Sequence, residues 1–270
     1  MAGLQVEIRT AVPATFSAPG TMSERERIRS LADVLEISHT ILHIFRGQPW
    51  WRGHGLESWT LVPHVHRYYN TTGPSYESMI ASKFSKFAPT RYPHCPAPGD
   101  LARWLFLMQH YGLPTRLIDW TESPLLAVFF AVWDQQYHLQ DGAIWALDPY
   151  VLNGVTCGQV GLYSHGEPSA AKLINLAFAP GPPTEECAVA LVTDEIDHRM
   201  MVQLSGLTIH GSPKPLDQLP NIGPTLLQKF VIDGGAKAMI REELASLGIR
   251  ERTVFPDLEH LAHDLARDRY

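Results

Sequence analysis

Between Gln109 and Pro124 the chain reads Gln-His-Tyr-Gly-Leu-Pro-Thr-Arg-Leu-Ile-Asp-Trp-Thr-Glu-Ser-Pro, and no other run constrains the fold as much. Asp100 can cap a helix whose apolar face holds Leu101, Trp104, Leu105 and Met108, and Gly112 with Pro114 forbids its continuation. Gln109, His110 and Tyr111 therefore fall in its last turn. Thr115 to Asp119 reads as a short strand, and Ser123-Pro124 supplies an N-cap and a first-turn proline for a helix through Phe129, Phe130 and Trp133. Strand, turn and helix start meet within a few residues. The polar density of the run has a bland reading, in which His110, Arg116 and Asp119 satisfy one another and nearby carbonyls. It also has a functional one. A helix start offers free N–H groups to a phosphate or carboxylate, with Thr121 and Ser123 adding hydroxyl contacts.

The rest of the chain is read by the same periodicities. Ser23 and Glu26 form a capping-box pair ahead of Ile28, Leu31 and Leu35 at helical spacing. Ile41 to Phe45 reads as a buried strand stopped by Arg46-Gly47, which places Arg46 at a strand edge. An aromatic loop with Trp50, Trp51 and Trp59 follows, then an amphipathic helix with Met79, Ile80, Phe84 and Phe87 on one face. Strands are expected over 142–147, 188–192, 207–209 and 227–231, and helices over 237–247 and 257–268. Neither an internal repeat nor a composition shift divides the 270 residues. The expectation is one α+β domain over 21–270, with a mixed or antiparallel sheet flanked by helices, behind a flexible tail at 1–20.

Composition sets limits on function. Apolar residues make up 45% and charged residues 19%, enough apolar material to bury a core. Lys and Arg number 22 against 28 Asp and Glu, so the net charge of −6 lacks the basic excess of an electrostatic nucleic-acid binder. Cys95, Cys157 and Cys187 fit neither a disulfide framework nor a zinc site, which points to a reducing, cytoplasmic setting. No membrane-length apolar run and no signal-peptide pattern is present. With 20 Gly, 21 Pro and 7 Trp, many turns and aromatic contacts are expected. The pairs His39/His43, His64/His66 and His260/His263 lack a Glu or Cys at metal-motif spacing, so no metal is expected. Trp50, Trp51 and Arg52 can stack on a nucleobase but read first as loop packing. Arg199 and Gln203, four residues apart, can reach the same pocket as Arg46 from their place before Gly206.

Several motifs occur in one order: Phe45-Arg-Gly47 with Gln48, Pro63 to Arg67, the Gln109–Pro124 run, Ala127 to Ala131, and Val254-Phe-Pro-Asp-Leu258. In this the chain resembles the FRG domain family, over roughly residues 25 to 266. That resemblance implies a fold without implying a reaction. A remoter one does imply a reaction. Mono-ADP-ribosyltransferases of the arginine-serine-glutamate type carry an apolar strand ending in Arg-Gly, then a Ser-Thr-Ser strand and an Ala-x-x-Phe-Ala helix. Ile44-Phe-Arg-Gly47 is similar to the first, and Asp119-Trp-Thr-Glu-Ser123 with Ala127-Val-Phe-Phe-Ala131 to the second.

The resemblance implies split sheets and NAD as substrate. Arg46 would hold the pyrophosphate or ribose, with Gln48, Gln109, Thr115 and Arg116 in the ligand-binding set and Thr121 and Ser123 bracing it. Tyr111 or Trp120 would stack on nicotinamide, and His110 and Asp119 would orient groups or exchange protons. The family's catalytic Glu precedes a Gly turn, where this chain has Gln203 before Gly206. Gln203 cannot carry that negative charge, so Glu195 or Asp119 takes the role. The implied activity is ADP-ribosyl transfer or NAD hydrolysis, in a toxin or defence effector acting on protein, nucleic acid or water. The alternatives are a non-catalytic module for a phosphorylated ligand or protein partner, and a nucleic-acid-acting enzyme.

Overall fold

The structure, a computed structural model, describes residues 27–68, 72–179, 181, 185–192, 202–203 and 205–267. The expected tail at 1–20, the Ser23/Glu26 cap, Arg199 and Glu195 lie outside the described residues. The chain enters through a short strand β1 (Arg27–Ile28) and helix α1 (Leu31–Ile44). Strand β2 (Trp50–His54), a one-turn α2 (His64–Arg67) and α3 (Tyr76–Phe87) lead to α4 (Leu101–His110). Then come β3 (Leu117–Thr121), α5 (Pro124–Trp133), β4 (Gly142–Leu147), α6 (Pro149–Cys157) and α7 (Pro168–Phe178). Strands β5 (Ala188–Leu191), β6 (Ser205–His210) and β7 (Leu227–Ile232) precede α8 (Lys237–Ser246), α9 (Glu251–Val254) and α10 (Leu258–Arg267).

The strands form one mixed sheet in the order β1-β7-β4-β2-β3-β6-β5, with only β1 and β7 parallel. The expected α+β class, a mixed sheet flanked by helices, is what the chain adopts. One joint in that sheet is weak. β2 pairs with β4 along its length, from Trp50↔Leu147 to His54↔Ala143, and β3 with β6 from Leu117↔Ile209 to Thr121↔Ser205. Yet β2 meets β3 at a single register pair, Trp51↔Thr121. The sheet is therefore two halves hinged at that pair, the nearest it comes to the expected split.

Apolar side chains cover both faces. On one face Trp51, Ile144 and Ile232 are buried against α1, α5 and α8, and on the other Trp50, Ile118, Trp120 and Leu147 form a second core with Leu152 of α6. Leu117, Val189 and Ile209 of the β5 half pack against α4 and α7. Helix α5 is apolar nearly throughout and crosses β2 so closely that a Cβ on Gly53 would lie 1.9 Å from the Ala127 carbonyl oxygen. Only glycine permits that approach.

Three local expectations are corrected. Ile41 to Phe45 is not a strand but the end of α1: Leu31, Val34 and Ile41 keep one buried helical face, and Phe45 N donates to Ile41 O. The cap of α1 is Ser30 with Asp33, whose side chains and backbones satisfy each other reciprocally, and Ile28 sits in β1. Trp50 to His54 is a strand and not a loop, so Arg46 follows a helix end while Arg52 lies on β2. Helices α6 and α7 were not foreseen. By contrast Asp100 caps α4, Gly112 with φ of 75° ends it, and Ser123 accepts the Leu126 N–H at the start of α5, as the residues themselves required.

Candidate functional site

The strands separate beyond the Trp51↔Thr121 pair, and a cleft of about 370 Å³ opens between the sheet halves. Arg52 and Gly53 of β2 face Asp119, Trp120 and Thr121 of β3 across it. The gap leaves strand backbone without a ladder partner, and a side chain supplies one: Arg52 Nη1 donates to the Asp119 carbonyl oxygen at 2.6 Å. Arg52 Nε donates to His54 Nε2 at 3.2 Å, and His54 Nδ1 lies 3.3 Å from both the Trp59 carbonyl oxygen and the Trp145 indole Nε1. Burial, followed by the charge of Arg52, lowers the His54 pKa to about 3, so this imidazole is a neutral acceptor. Burial also lowers the Arg52 pKa, and the nearby Asp119 charge opposes it. The guanidinium remains a cation, and its Nη2 makes no hydrogen bond among the described residues.

Asp119 is held by a relay. The Leu117 N–H donates to Thr115 Oγ1, Thr115 Oγ1 donates to Gln109 Oε1, and Gln109 Nε2 donates to Asp119 Oδ2. A carboxylate only accepts, so the Gln109 amide has one orientation that satisfies both neighbours. Asp119 Oδ1 has no hydrogen-bond partner among the described residues, and the side chain is exposed on the cleft. Aromatic rings make the walls. Trp51 and Trp120 are buried, Phe130 and Trp133 are half-buried on α5, and Trp59 stands at the rim against Tyr137, with ring centroids 5.2 Å apart.

Of the residues expected at the site, Gln109, His110, Asp119, Trp120, Thr121 and Gln203 line this cleft. Gln203 Nε2 donates to the Val254 carbonyl, which ties the cleft to the C-terminal segment. The other described ones do not line it. Arg46 and Gln48 are exposed away from it, and the Arg46 N–H serves as a turn donor to Asp148. Tyr111 is 57% exposed and packs edge-on against Tyr92. Thr115 is buried and acts through Gln109. Arg116 is 4% exposed, with Nε and Nη2 on Glu77 Oε2 and its backbone N–H on Glu77 Oε1, so it pins α3 to the start of β3. Ser123 spends its hydroxyl capping α5, and Thr121 Oγ1 accepts the Ser123 N–H. With Pro124 carrying no N–H, the helix start offers little to an anion. Arg52, Trp59, Phe130, Trp133 and Asp134 are among the cleft residues outside the site set expected from sequence. The signal for Arg52 was present as a second aromatic-Arg-Gly triplet, Trp51-Arg-Gly53.

Behind Trp120 a buried polar chain runs from the cleft: Trp120 Nε1 donates to Thr208 Oγ1, which sits 2.9 Å from His210 Nε2. Burial lowers the pKa of His210 to about 3 and that of His66 to about 4. With His54, these imidazoles are neutral when folded and take up protons near pH 6.5 when unfolded. Lowering the pH from 7 to 4 therefore shifts the equilibrium toward the unfolded chain. Urea midpoints should fall steadily over that range, and a midpoint constant between pH 7 and 4 would contradict these assignments.

A mixed sheet hinged at one register pair, with a fork donor and an oriented carboxylate in an aromatic cleft at the hinge, defines an α+β protein with a candidate site between sheet halves. Residues 44–140 match the family model of the FRG domain. The span holds Arg52, Gln109, His110, Asp119 and Thr121, hence most of the polar cleft. No curated protein and no solved structure matches the chain. Among the described residues no helix is long and apolar enough to cross a membrane.

Proposed function

We propose that the cleft at the β2–β3 hinge binds NAD and that the protein transfers or hydrolyses its ADP-ribosyl group. The observation that carries this reading is the pairing across the hinge of Arg52, fixed through two of its nitrogens, with Asp119, whose open Oδ1 faces the same space. The free edge of the guanidinium suits a pyrophosphate, to which it offers paired donors. The indole and phenyl walls suit a planar nicotinamide. Asp119 accepts a ribose hydroxyl and stabilises the positive charge that develops as the glycosidic C–N bond breaks and nicotinamide leaves with the bonding electrons. Water or an acceptor then adds to the sugar carbon and gives up a proton, for which His110, at the cleft wall, is the candidate base. The volume lies in the range of small-molecule sites.

Nicotinamide release on incubation with NAD tests this reading. Arg52→Lys keeps the charge and loses the fork, and should weaken NAD binding about 10- to 100-fold, in line with about 1.5–3 kcal/mol for a hydrogen bond to a charged group. Absence of both release and NAD-dependent thermal stabilisation in the parent protein would refute the proposal. Gln203 at the cleft favours a second reading, a non-catalytic module, since its amide carries no charge. That reading expects NAD to raise the melting temperature with no nicotinamide formed.

A further inference from the structure

Lys237, the first residue of α8, is 1% exposed, and among the described residues no carboxylate is paired with it. Its ammonium instead donates to two backbone carbonyls, Gly55 at 2.7 Å and Tyr137 at 2.9 Å. These belong to different segments: Gly55 follows β2 and lines the cleft, whereas Tyr137 lies between α5 and β4 and carries the ring on which Trp59 rests edge-on. The strand start at Gly142 leaves room for this reach, because a Cβ there would sit 3.0 Å from Lys237 Cε and 3.2 Å from Nζ. A buried cation is costly, and here carbonyl dipoles at the rim of the cleft hold it.

We infer that Lys237 is a positioning residue for the aromatic rim, its ammonium clamping the Gly55 and Tyr137 segments so that Trp59 is fixed as a wall for a planar ligand. Burial, reinforced by Arg241, lowers its pKa to about 8, with Asp141 and Asp134 opposing. The neutral amine donates to carbonyls more weakly than the ammonium, so the clamp is strongest below pH 8 and loosens above it. The inference rests on the cleft being a ligand site, yet the state of Trp59 can be read without ligand.

The test compares acrylamide quenching of the parent with that of Trp59→Phe, the difference isolating the Trp59 indole, and repeats the comparison in a Lys237→Met background. Lys237→Met should raise the Trp59 quenching constant at least about twofold and weaken NAD binding about tenfold. Glu77→Gln, at a buried pair remote from Lys237, serves as a destabilised control and should leave Trp59 quenching unchanged. Lys237→Arg, which keeps a cation, should restore part of the protection. Unchanged Trp59 quenching in folded Lys237→Met, or an equal change in Glu77→Gln, would overturn the inference. Should Lys237→Met fail to fold, hydrogen exchange in the parent decides. After correction for intrinsic rates, the 55–59 segment should lose protection as pH rises from 7 to 9.5, and a pH-independent opening would overturn the inference. Protection of Trp59 without NAD binding would sink the NAD reading and leave the clamp standing.

Discussion

Asp119→Asn is expected to lower nicotinamide release about 10²- to 10³-fold while changing NAD affinity no more than about threefold, the pattern of a group that acts on charge developing in the transition state. Gln109 Nε2 points at Asp119 Oδ2, and its Oε1 is committed to Thr115. An asparagine must present its carbonyl oxygen to Gln109 and hence its NH₂ to the cleft. That exchanges an acceptor with negative charge for a neutral donor where a sugar cation forms, with almost no change of shape. Initial-rate measurements with NAD check this, and near-parental turnover in Asp119→Asn would remove Asp119 from the reaction. Gln109→Ala frees Asp119 to rotate and should show a smaller loss of the same kind.

The largest loss of stability is expected from Glu77→Ala. Glu77 and Arg116 are both buried, and the carboxylate receives three donors from the one residue. Arg116 Nη1 already lacks a partner among the described residues, so deleting Glu77 leaves a buried guanidinium held mainly by the Leu176 carbonyl. Breaking a buried pair on one side costs about 3–5 kcal/mol, which corresponds to about 10 °C in melting temperature for a chain of this size. Replacing both members by apolar residues, as in Glu77→Leu with Arg116→Met, should recover much of the loss, because no unpaired charge remains. Calorimetric melting of the two variants decides the matter. A shift under about 2 °C in Glu77→Ala would mean that the pair does not anchor α3. The prediction also separates roles, since Arg116, expected from sequence in the ligand set, is here a structural residue.

What was legible in the sequence followed from local chemistry. Asp100, Gly112 and Ser123-Pro124 act within one turn of themselves, and the helix ends they dictate are where the structure has them. The β4 strand was legible too, being buried along its whole length and flanked by a turn and an Asp cap. The misreading of Ile41 to Phe45 arose because a short apolar run does not reveal its period, and the face that decides it includes Leu31 and Val34, a helix length away. β2 was hidden for the opposite reason. Its residues Trp-Trp-Arg-Gly-His show no alternation of apolar and polar residues, since Arg52 turns into a cleft rather than to bulk water and Gly53 meets the backbone of α5.

The polar run between Gln109 and Ser123 divided in a way spacing could not show. Gln109, His110, Asp119 and Thr121 reach the cleft, while Thr115, Arg116 and Ser123 build its frame. For Arg116 the distinction depends on Glu77, which lies far away in sequence. Arg46 and Arg52 show the same limit. Each precedes a glycine and follows an aromatic residue, and only the pairing of β2 with β4 and its opening from β3 tells them apart.

The central claim is that the anion-binding arginine of this cleft is Arg52 and that its ligand is a dinucleotide. Calorimetric titration of NAD into the parent, Arg46→Ala and Arg52→Ala proteins tests it most directly. Saturable one-to-one binding should persist in Arg46→Ala and be lost, or weakened at least about 30-fold, in Arg52→Ala, consistent with about 2 kcal/mol or more for a charge-assisted contact. Equal affinity in all three proteins, no binding in any, or a loss confined to Arg46→Ala would contradict it.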